Sequence, residues 1–258
     1  MVKLAQAQSQ LTKPQPVSAE AWPDRGLVSV ILATFDEREN IDNTINDIFE
    51  NVPAPVEIIV VDDDSPDETW RLVMDLGDPR VKVIRRVNMR GLASAFMRGI
   101  IESQGDIVCW MDADTCMPAA TLGRMIETLR SDDISIGSRY VEGGRDERTA
   151  LRTTASRLIN WLARTVLGHG IRDYDSGFVA VRRCVFDKVL PLPTGYGEYF
   201  IEFIYAACKN GLRVNEVGYV FRDRSVGSSK SFASVWRFLL LGTRYVYRIF
   251  QARLRRLD

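Results

Sequence analysis

Val56-Glu-Ile-Ile-Val-Val61 runs directly into Asp62-Asp63-Asp64. A short apolar run rich in β-branched residues and closed by carboxylates reads as a buried strand that ends in a polar loop. The pattern repeats outward in both directions. Upstream, Val28-Ser-Val-Ile-Leu-Ala33 is a strand, and Asn40 to Asn51 has helical spacing through Ile41, Ile45 and Ile48. Downstream, Thr69 to Leu76 is helical, Val81-Lys-Val-Ile84 is a third strand and Leu92 to Ser103 is helical. Ile107-Val-Cys-Trp-Met111 is a fourth strand, ending at Asp112-Ala-Asp114. Short apolar strands alternating with helices predict an α/β fold. Its central sheet is mostly parallel, helices cover both faces, and a ligand crevice lies at the carboxyl ends of the strands.

The rhythm changes after the fourth strand. Ile134 to Tyr140 reads as a strand, Gly143-Gly144 as a loop, Thr149 to Leu167 as a long helix and Asp173 to Val181 as a strand. Tyr199 to Asn210 is helical, Arg213 to Phe221 a strand, Asp223 to Ser231 a polar loop and Phe232 to Leu257 a final helix. Residues 1–26, rich in Gln, Ala, Ser and Pro, are expected to form a flexible tail. Residues 27–231 then form one domain, and 232–258 a basic amphipathic helix.

At 258 residues and 46% apolar content the chain can bury one substantial core. Its net charge of zero hides a division. Residues 1–138 carry 13 basic and 23 acidic side chains, whereas 139–258 carry 21 and 11. An acidic half suits metal or hydroxyl ligands and a basic half suits anions; no nucleic-acid partner is expected. Cys109, Cys116, Cys184 and Cys208 show no CxxC pairing and no zinc-ligand spacing with the single His169, so they read as reduced thiols of a cytoplasmic protein. The opening residues have no apolar run of signal-peptide length. Phe232 to Phe250 is interrupted by Arg237, Arg244 and Arg248, and each Arg at the centre of a spanning helix costs about 2.5–3.5 kcal/mol. Membrane contact is therefore expected to be peripheral, at the cytoplasmic face.

Asp62-Asp63-Asp64 and Asp112-Ala113-Asp114 end parallel strands where this architecture places its ligand. In Asp-Ala-Asp one carboxylate can hold a divalent cation while the other reaches the ligand, and hard oxygens suit Mg²⁺ or Mn²⁺ bridging a diphosphate. Taken alone, Asp62–Asp64 also fit an Asp-rich turn with Ser65-Pro66.

Ala33-Thr-Phe-Asp-Glu-Arg-Glu-Asn-Ile41, Val61-Asp-Asp-Asp-Ser-Pro-Asp67 and Asp112-Ala-Asp114 resemble, in order and spacing, the signature of family 2 glycosyltransferases. The resemblance implies a GT-A fold and a nucleotide-diphosphate sugar as donor. By that likeness Ala33, Phe35 and Glu37 line the base and ribose, with Asp62 or Asp63 beside them, while Asp112 serves the sugar nucleotide and Asp114 the metal. Ala33, Asp36, Asp64 and Cys116 stand where the family usually has Pro, Asn, Gly and Gln. Asp tolerates the backbone angle required at position 64 less well than Gly. Cys116 is a poor match for Mg²⁺, so either phosphates and water complete the shell at Asp114 or the metal preference differs.

Gly137-Ser-Arg-Tyr-Val-Glu-Gly-Gly144, Asp173-Tyr-Asp-Ser-Gly-Phe178 and Phe221-Arg-Asp-Arg-Ser-Val-Gly-Ser-Ser-Lys230 resemble the polyprenyl-phosphate branch of that family, dolichol-phosphate mannose synthases most closely. The likeness implies transfer of a hexose, mannose from GDP-mannose, to a membrane-borne polyprenyl phosphate; it leaves open the same transfer from UDP-glucose, extension of a saccharide, and a sugar-nucleotide-binding subunit without activity. Two phosphate groups must then approach one another, which requires cations. Arg139 would hold phosphate, Arg152 and Ser156 (one helical turn apart) would hold the acceptor phosphate, and Arg224 and Lys230 would clamp donor and acceptor phosphates. For any one of these Arg residues the plain reading is a solvated surface cation. The implied catalytic set is Asp112, Asp114, Arg139, Arg224 and Lys230. Arg237, Arg244, Arg248 and Arg255 share one face of the final helix. That helix is left with three fits: an interfacial membrane contact, packing on its own domain, or docking onto a membrane-anchoring subunit. Glu202 fits either a sugar-side residue or a helix-surface glutamate.

Overall fold

The computed structural model describes residues 26–222 and 235–255. The expected tail and the Asp223–Ser231 loop, with Arg224 and Lys230, lie outside the described residues. Strands β1 (Val28–Thr34), β2 (Val56–Asp62), β3 (Val81–Arg85) and β4 (Ile107–Asp112) alternate with helices α1 (Ile41–Asn51), α2 (Thr69–Asp75) and α3 (Leu92–Glu102). These are the elements that the apolar runs predict. Helix α4 (Ala119–Thr128), β5 (Ile134–Ser138), β6 (Arg145–Asp146), α5 (Ala150–Leu167), β7 (Val179–Arg182), α6 (Tyr199–Lys209), β8 (Val214–Gly218), β9 (Val220–Phe221) and α7 (Val235–Leu254) complete the chain.

The main sheet has the order β3-β2-β1-β4-β7-β5-β8. All of its pairings are parallel except those of β7, which runs antiparallel to both β4 and β5. β5 therefore points the same way as β4, and their carboxyl ends reach the same edge.

Because both faces are covered, the strands are apolar at nearly every position and divide their side chains between two cores. Ile31, Ile59, Val61, Val108 and Trp110 face a core closed by α3, α5, α6 and α7. Val30, Leu32, Ile58, Val60, Cys109 and Met111 face a second core closed by α1, α2 and α4. All four cysteines are free thiols, with Cys109 and Cys116 buried.

Three segments differ from the sequence reading. Helix α4 was not expected. It begins at Pro118 without a side-chain cap, yet Leu122, Met125, Ile126 and Leu129 recur at helical spacing and are buried. Gly123 is needed inside it, because a Cβ there would lie 2.7 Å from the Asn51 carbonyl at the end of α1. Asp173–Gly177 is a turn rather than the start of a strand. Its two aspartates are drawn to Arg139, and Gly177 takes φ +71°. The strand expected over Arg213–Phe221 breaks at Tyr219. β8 stays in the main sheet while β9 pairs with β6 in a separate ladder. The Tyr219 ring fills the core edge-on to Phe178 and Phe221.

Helix α7 packs on α5 and α6. Among the described residues no helix is long and apolar enough to cross a membrane. Of the arginines expected on one face of α7, the Arg237 side chain lies outside the described residues and Arg244 is exposed. Arg248 Nη1 donates to Glu202 Oε2 at 3.0 Å and Arg255 pairs with Glu202 Oε1, so these two share a face and turn it onto the chain's own domain, one of the three fits left open by the sequence. Glu202 is itself buried, so it anchors α7 to α6 and is not a glutamate on an open helix surface.

Candidate active site

The strand register sets the site. Ala33 lies level with Val61 on one side and Asp112 on the other, and Thr34 lies level with Asp62. The loops after β1, β2 and β4 therefore rise side by side from the carboxyl edge of the sheet.

The loop after β2 is built from its own carboxylates. Asp62, fully buried, accepts from Thr34 Oγ1 at 2.7 Å, Ser65 Oγ at 2.6 Å and the Ser65 amide at 2.8 Å. The Asp-rich turn left open by the sequence is thus present. Asp63 Oδ1 pairs with the buried Arg86 guanidinium, and Asp63 Oδ2 accepts the Gly91 amide at 2.8 Å, which fixes the β3–α3 connection. Asp64 adopts the left-handed conformation at φ 56° and accepts from Arg85 Nε at 2.6 Å. The angle expected to favour Gly is therefore the one found. Through these bonds Asp62 and Asp63 shape the loops at the carboxyl ends of β1, β2 and β3.

Above them, Glu37 is buried, its amide donating to Thr69 Oγ1 and its Oε2 accepting from Asn40 Nδ2, each at 3.1 Å. The half-buried Phe35 ring lies under the Arg90 guanidinium at 4.1 Å. Ala33 is half-buried in the floor.

In the loop after β4, Asp112 is half-buried and Asp114 buried, with Asp114 Oδ1 accepting the Cys116 amide at 3.2 Å. Thr115 turns the chain through φ 63°, and Thr44 Oγ1 ties the Ala113 carbonyl to α1 at 3.0 Å. Cys116 lines a cavity of about 320 Å³ with Thr115, Tyr219 and Arg222. Among the described residues no three His, Cys, Asp or Glu side chains form a metal cage. Asp112 and Asp114 nonetheless offer hard oxygens from a partial protein shell. That donor set fits Mg²⁺ or Mn²⁺ completed by phosphate oxygens and water.

On the basic side, Arg139 follows β5 at the same edge. Its Nε and Nη2 clasp the Asp173 carboxylate at 2.8 and 2.7 Å, and Nη2 also reaches the Asp175 carbonyl at 2.9 Å. Burial opposes the cation, yet Asp173 and then Asp175 outweigh it and hold the guanidinium well above its usual pKa. Arg139, expected to hold phosphate, thus spends its Nε and Nη2 on the Asp173–Asp175 turn in this structure. Ser156 Oγ, on α5, donates to Asp175 Oδ2 at 3.2 Å. Arg152, half-buried, lies one turn earlier on the same helical face. Arg148 chelates Asp146 at 2.8 and 2.7 Å beside them. Burial raises the Asp175 pKa, against the opposing pull of Arg139.

The sequence reading missed the anchoring roles of Asp173, Asp175 and Arg86. The spacing Asp173-x-Asp175 repeats that of Asp112-x-Asp114 and was a usable signal. His169 is an exposed loop residue, edge-on to Tyr205. Arg222 is exposed and donates to Glu147 at 3.1 Å.

A mostly parallel sheet with a paired-aspartate turn at its carboxyl edge, and the Arg139 cluster two strands away, is the architecture of a GT-A glycosyltransferase. The chain belongs to glycosyl transferase family 2, whose model matches residues 29–190. It is 37% identical over 232 residues to a dolichol-phosphate mannosyltransferase of Pyrococcus furiosus, covering 86% of this chain and 63% of that longer relative. It is 35% identical over 215 residues to a polyprenol monophosphomannose synthase of Mycolicibacterium smegmatis, covering 80% of this chain and 81% of the relative. An undecaprenyl-phosphate mannosyltransferase of Micrococcus luteus is 31% identical over 216 residues, 79% of this chain and 86% of the relative. The fold is shared with glucosyl-3-phosphoglycerate synthase of Mycobacterium tuberculosis, solved with Mn²⁺ and uridine diphosphate, at a TM-score of 0.67 and 19% identity over 88% of this chain and 79% of that one.

Proposed function

We propose that this protein transfers mannose from GDP-mannose to a polyprenyl phosphate, inverting the anomeric carbon. The observation that carries the reading is the shared edge. The Asp112–Asp114 turn of β4 and the cluster of Arg139, Arg152 and Ser156 beyond β5 open on the same side of the sheet. Mannose and the lipid phosphate are supported by the names of the three mannosyltransferase relatives.

In this reading Ala33, Phe35, Glu37, Asp62, Asp63 and Asp112 form the nucleotide side. Asp114, with Asp112, would hold a divalent cation, which neutralises the diphosphate. Arg152 and Ser156 take the acceptor phosphate, supported from behind by Asp175 and Arg139. Arg224 and Lys230 are assigned to the phosphate clamp. An acceptor phosphate oxygen, already anionic at neutral pH, forms the bond to the anomeric carbon as the bond to the nucleoside diphosphate breaks. No general base is required. Catalysis is positioning plus stabilisation of the departing charge.

Peripheral membrane contact is supported by exposed apolar side chains on two packed helices, Leu151, Leu158 and Trp161 on α5 and Tyr247, Phe250 and Leu254 on α7. Flotation with anionic vesicles tests this. Binding of the protein alone supports direct contact, and binding only with a membrane-anchoring subunit overturns it.

The donor is tested with Mn²⁺ or Mg²⁺, polyprenyl phosphate and a panel of nucleotide sugars. Glycolipid from GDP-mannose alone is expected. Glycolipid from UDP-glucose alone contradicts the mannose assignment.

A further inference from the structure

The β3–α3 connection carries an arginine with an unusual setting. Asp63 fixes this connection at both ends, pairing with Arg86 and accepting the Gly91 amide, and Arg86 Nη2 donates to the Gly91 carbonyl at 3.0 Å. Between these anchors the chain turns through Asn88 at φ 59° and projects Arg90 back over the site. Its guanidinium carbon lies 4.1 Å above the centre of the Phe35 ring. Arg90 is exposed, and among the described residues it makes no hydrogen bond or ion pair. A planar cation with five donors is thus held over an aromatic face by stacking alone.

That face is where the reading above places the nucleotide base, and a 4.1 Å separation leaves no room for a base between ring and guanidinium. The guanidinium occupies the position of a flat, stackable ligand. A base taking that position displaces it sideways, within reach of the base edge, because neighbouring Val87 and Met89 are exposed and leave the tip of the connection uncovered.

We infer that Arg90 reads the nucleobase and selects guanine. This rests on the nucleotide-sugar reading and sharpens it. A guanidinium fork matches the adjacent O6 and N7 acceptors of guanine with two hydrogen bonds. Uracil offers one acceptor, O4, on the comparable edge. Adenine presents a donor, N6, beside N7, which opposes a fork that carries donors only.

Calorimetry on the full chain with Mn²⁺ and GDP, UDP or ADP tests the assignment, with Arg90→Ala and Arg90→Lys beside the wild type. Wild type is expected to bind GDP most tightly. Arg90→Ala should lose roughly 5- to 150-fold in GDP affinity, the worth of one bidentate base contact, and less than about 3-fold for UDP. Arg90→Lys, which keeps the charge but not the fork, should resemble Ala in its GDP to UDP ratio. If wild type prefers GDP and Arg90→Ala keeps the same ratio, the Arg90 inference fails while the nucleotide site stands. If wild type prefers UDP, or binds none of the three, the inference and the GDP-mannose reading fall together. Arg90 is exposed, so circular dichroism of each variant should match wild type and confirm that a lost ratio is not lost folding.

Discussion

At the level of single residues, the site spends many of its charges on construction. Arg139 and Asp173 form a buried pair, with side chains 3% and 0% exposed. Removing one partner of such a pair leaves an uncompensated charge in a place water does not reach. Asp173→Ala should therefore cost about 3–5 kcal/mol in urea denaturation, and a loss below about 1 kcal/mol would contradict the structural role. Asp175 carries a pH signature. Burial raises its pKa above the usual 3.8 despite the opposing pull of Arg139 and Arg148. The folded state then holds this proton more tightly than the unfolded state does. Its contribution to stability is greatest at low pH and is lost as pH rises from about 3.8 through the raised folded value. Relative to Asp175→Asn, the melting temperature of wild type should fall over that window and stay flat above it. A difference that is constant, or that grows in favour of wild type with pH, would contradict the assignment.

These residue roles were unevenly legible in the sequence. The Asp112–Asp114 turn could be read because its chemistry is local. For Asp62, Asp63 and Asp64 the local turn with Ser65 and the angle at Asp64 could be read, but not their longer-range partners Thr34, Arg86 and Arg85, which are brought to them by the register of β1, β2 and β3. Arg139 was read as a phosphate ligand, without its carboxylate partners, for the same reason. Asp173, its partner, is 34 positions away and reaches it through a turn that sequence pattern reads as strand.

At the level of elements, the four leading strands were visible because each is a short apolar run between helical repeats. Helix α4 was passed over because it has Pro118 in place of a capping side chain and Gly123 in its middle, both weak helix signals. The direction of β7 has no local signal. Helix α7 had three readings, a face for lipid, for a partner subunit or for its own domain, and Arg248 and Arg255, which close on Glu202, realise the third. Gly197 fits closely against the Tyr245 hydroxyl, where a Cβ would collide. Glu202→Ala should loosen α7 before anything else. The Arg248 side of the pair is only partly exposed, at 15%, while Arg255 is half exposed. The expected loss is therefore about 2–3 kcal/mol, below that of a fully buried pair. Amide exchange should accelerate roughly 30- to 150-fold in α7 and stay unchanged in β1 and β4. Uniform acceleration across both would show that α7 is not a separately anchored unit.

At the level of the whole molecule, the division of charge seen in composition becomes a division of labour along one sheet edge. The acidic half supplies β1, β2, β4 and β5 with the aspartate loops, and the basic half, which begins at Arg139 directly after β5, supplies α5 and the Arg139 cluster. The account predicts that the acceptor is recognised through its phosphate. The direct test compares polyprenyl phosphate with the matching polyprenol as acceptors for the purified full chain, with GDP-mannose and Mn²⁺. Mannolipid should form from the phosphate, with at least a 100-fold lower rate from the alcohol, about the 3 kcal/mol that separates a charge-assisted phosphate contact from none. Equal rates with both acceptors, or transfer to neither, would contradict the account.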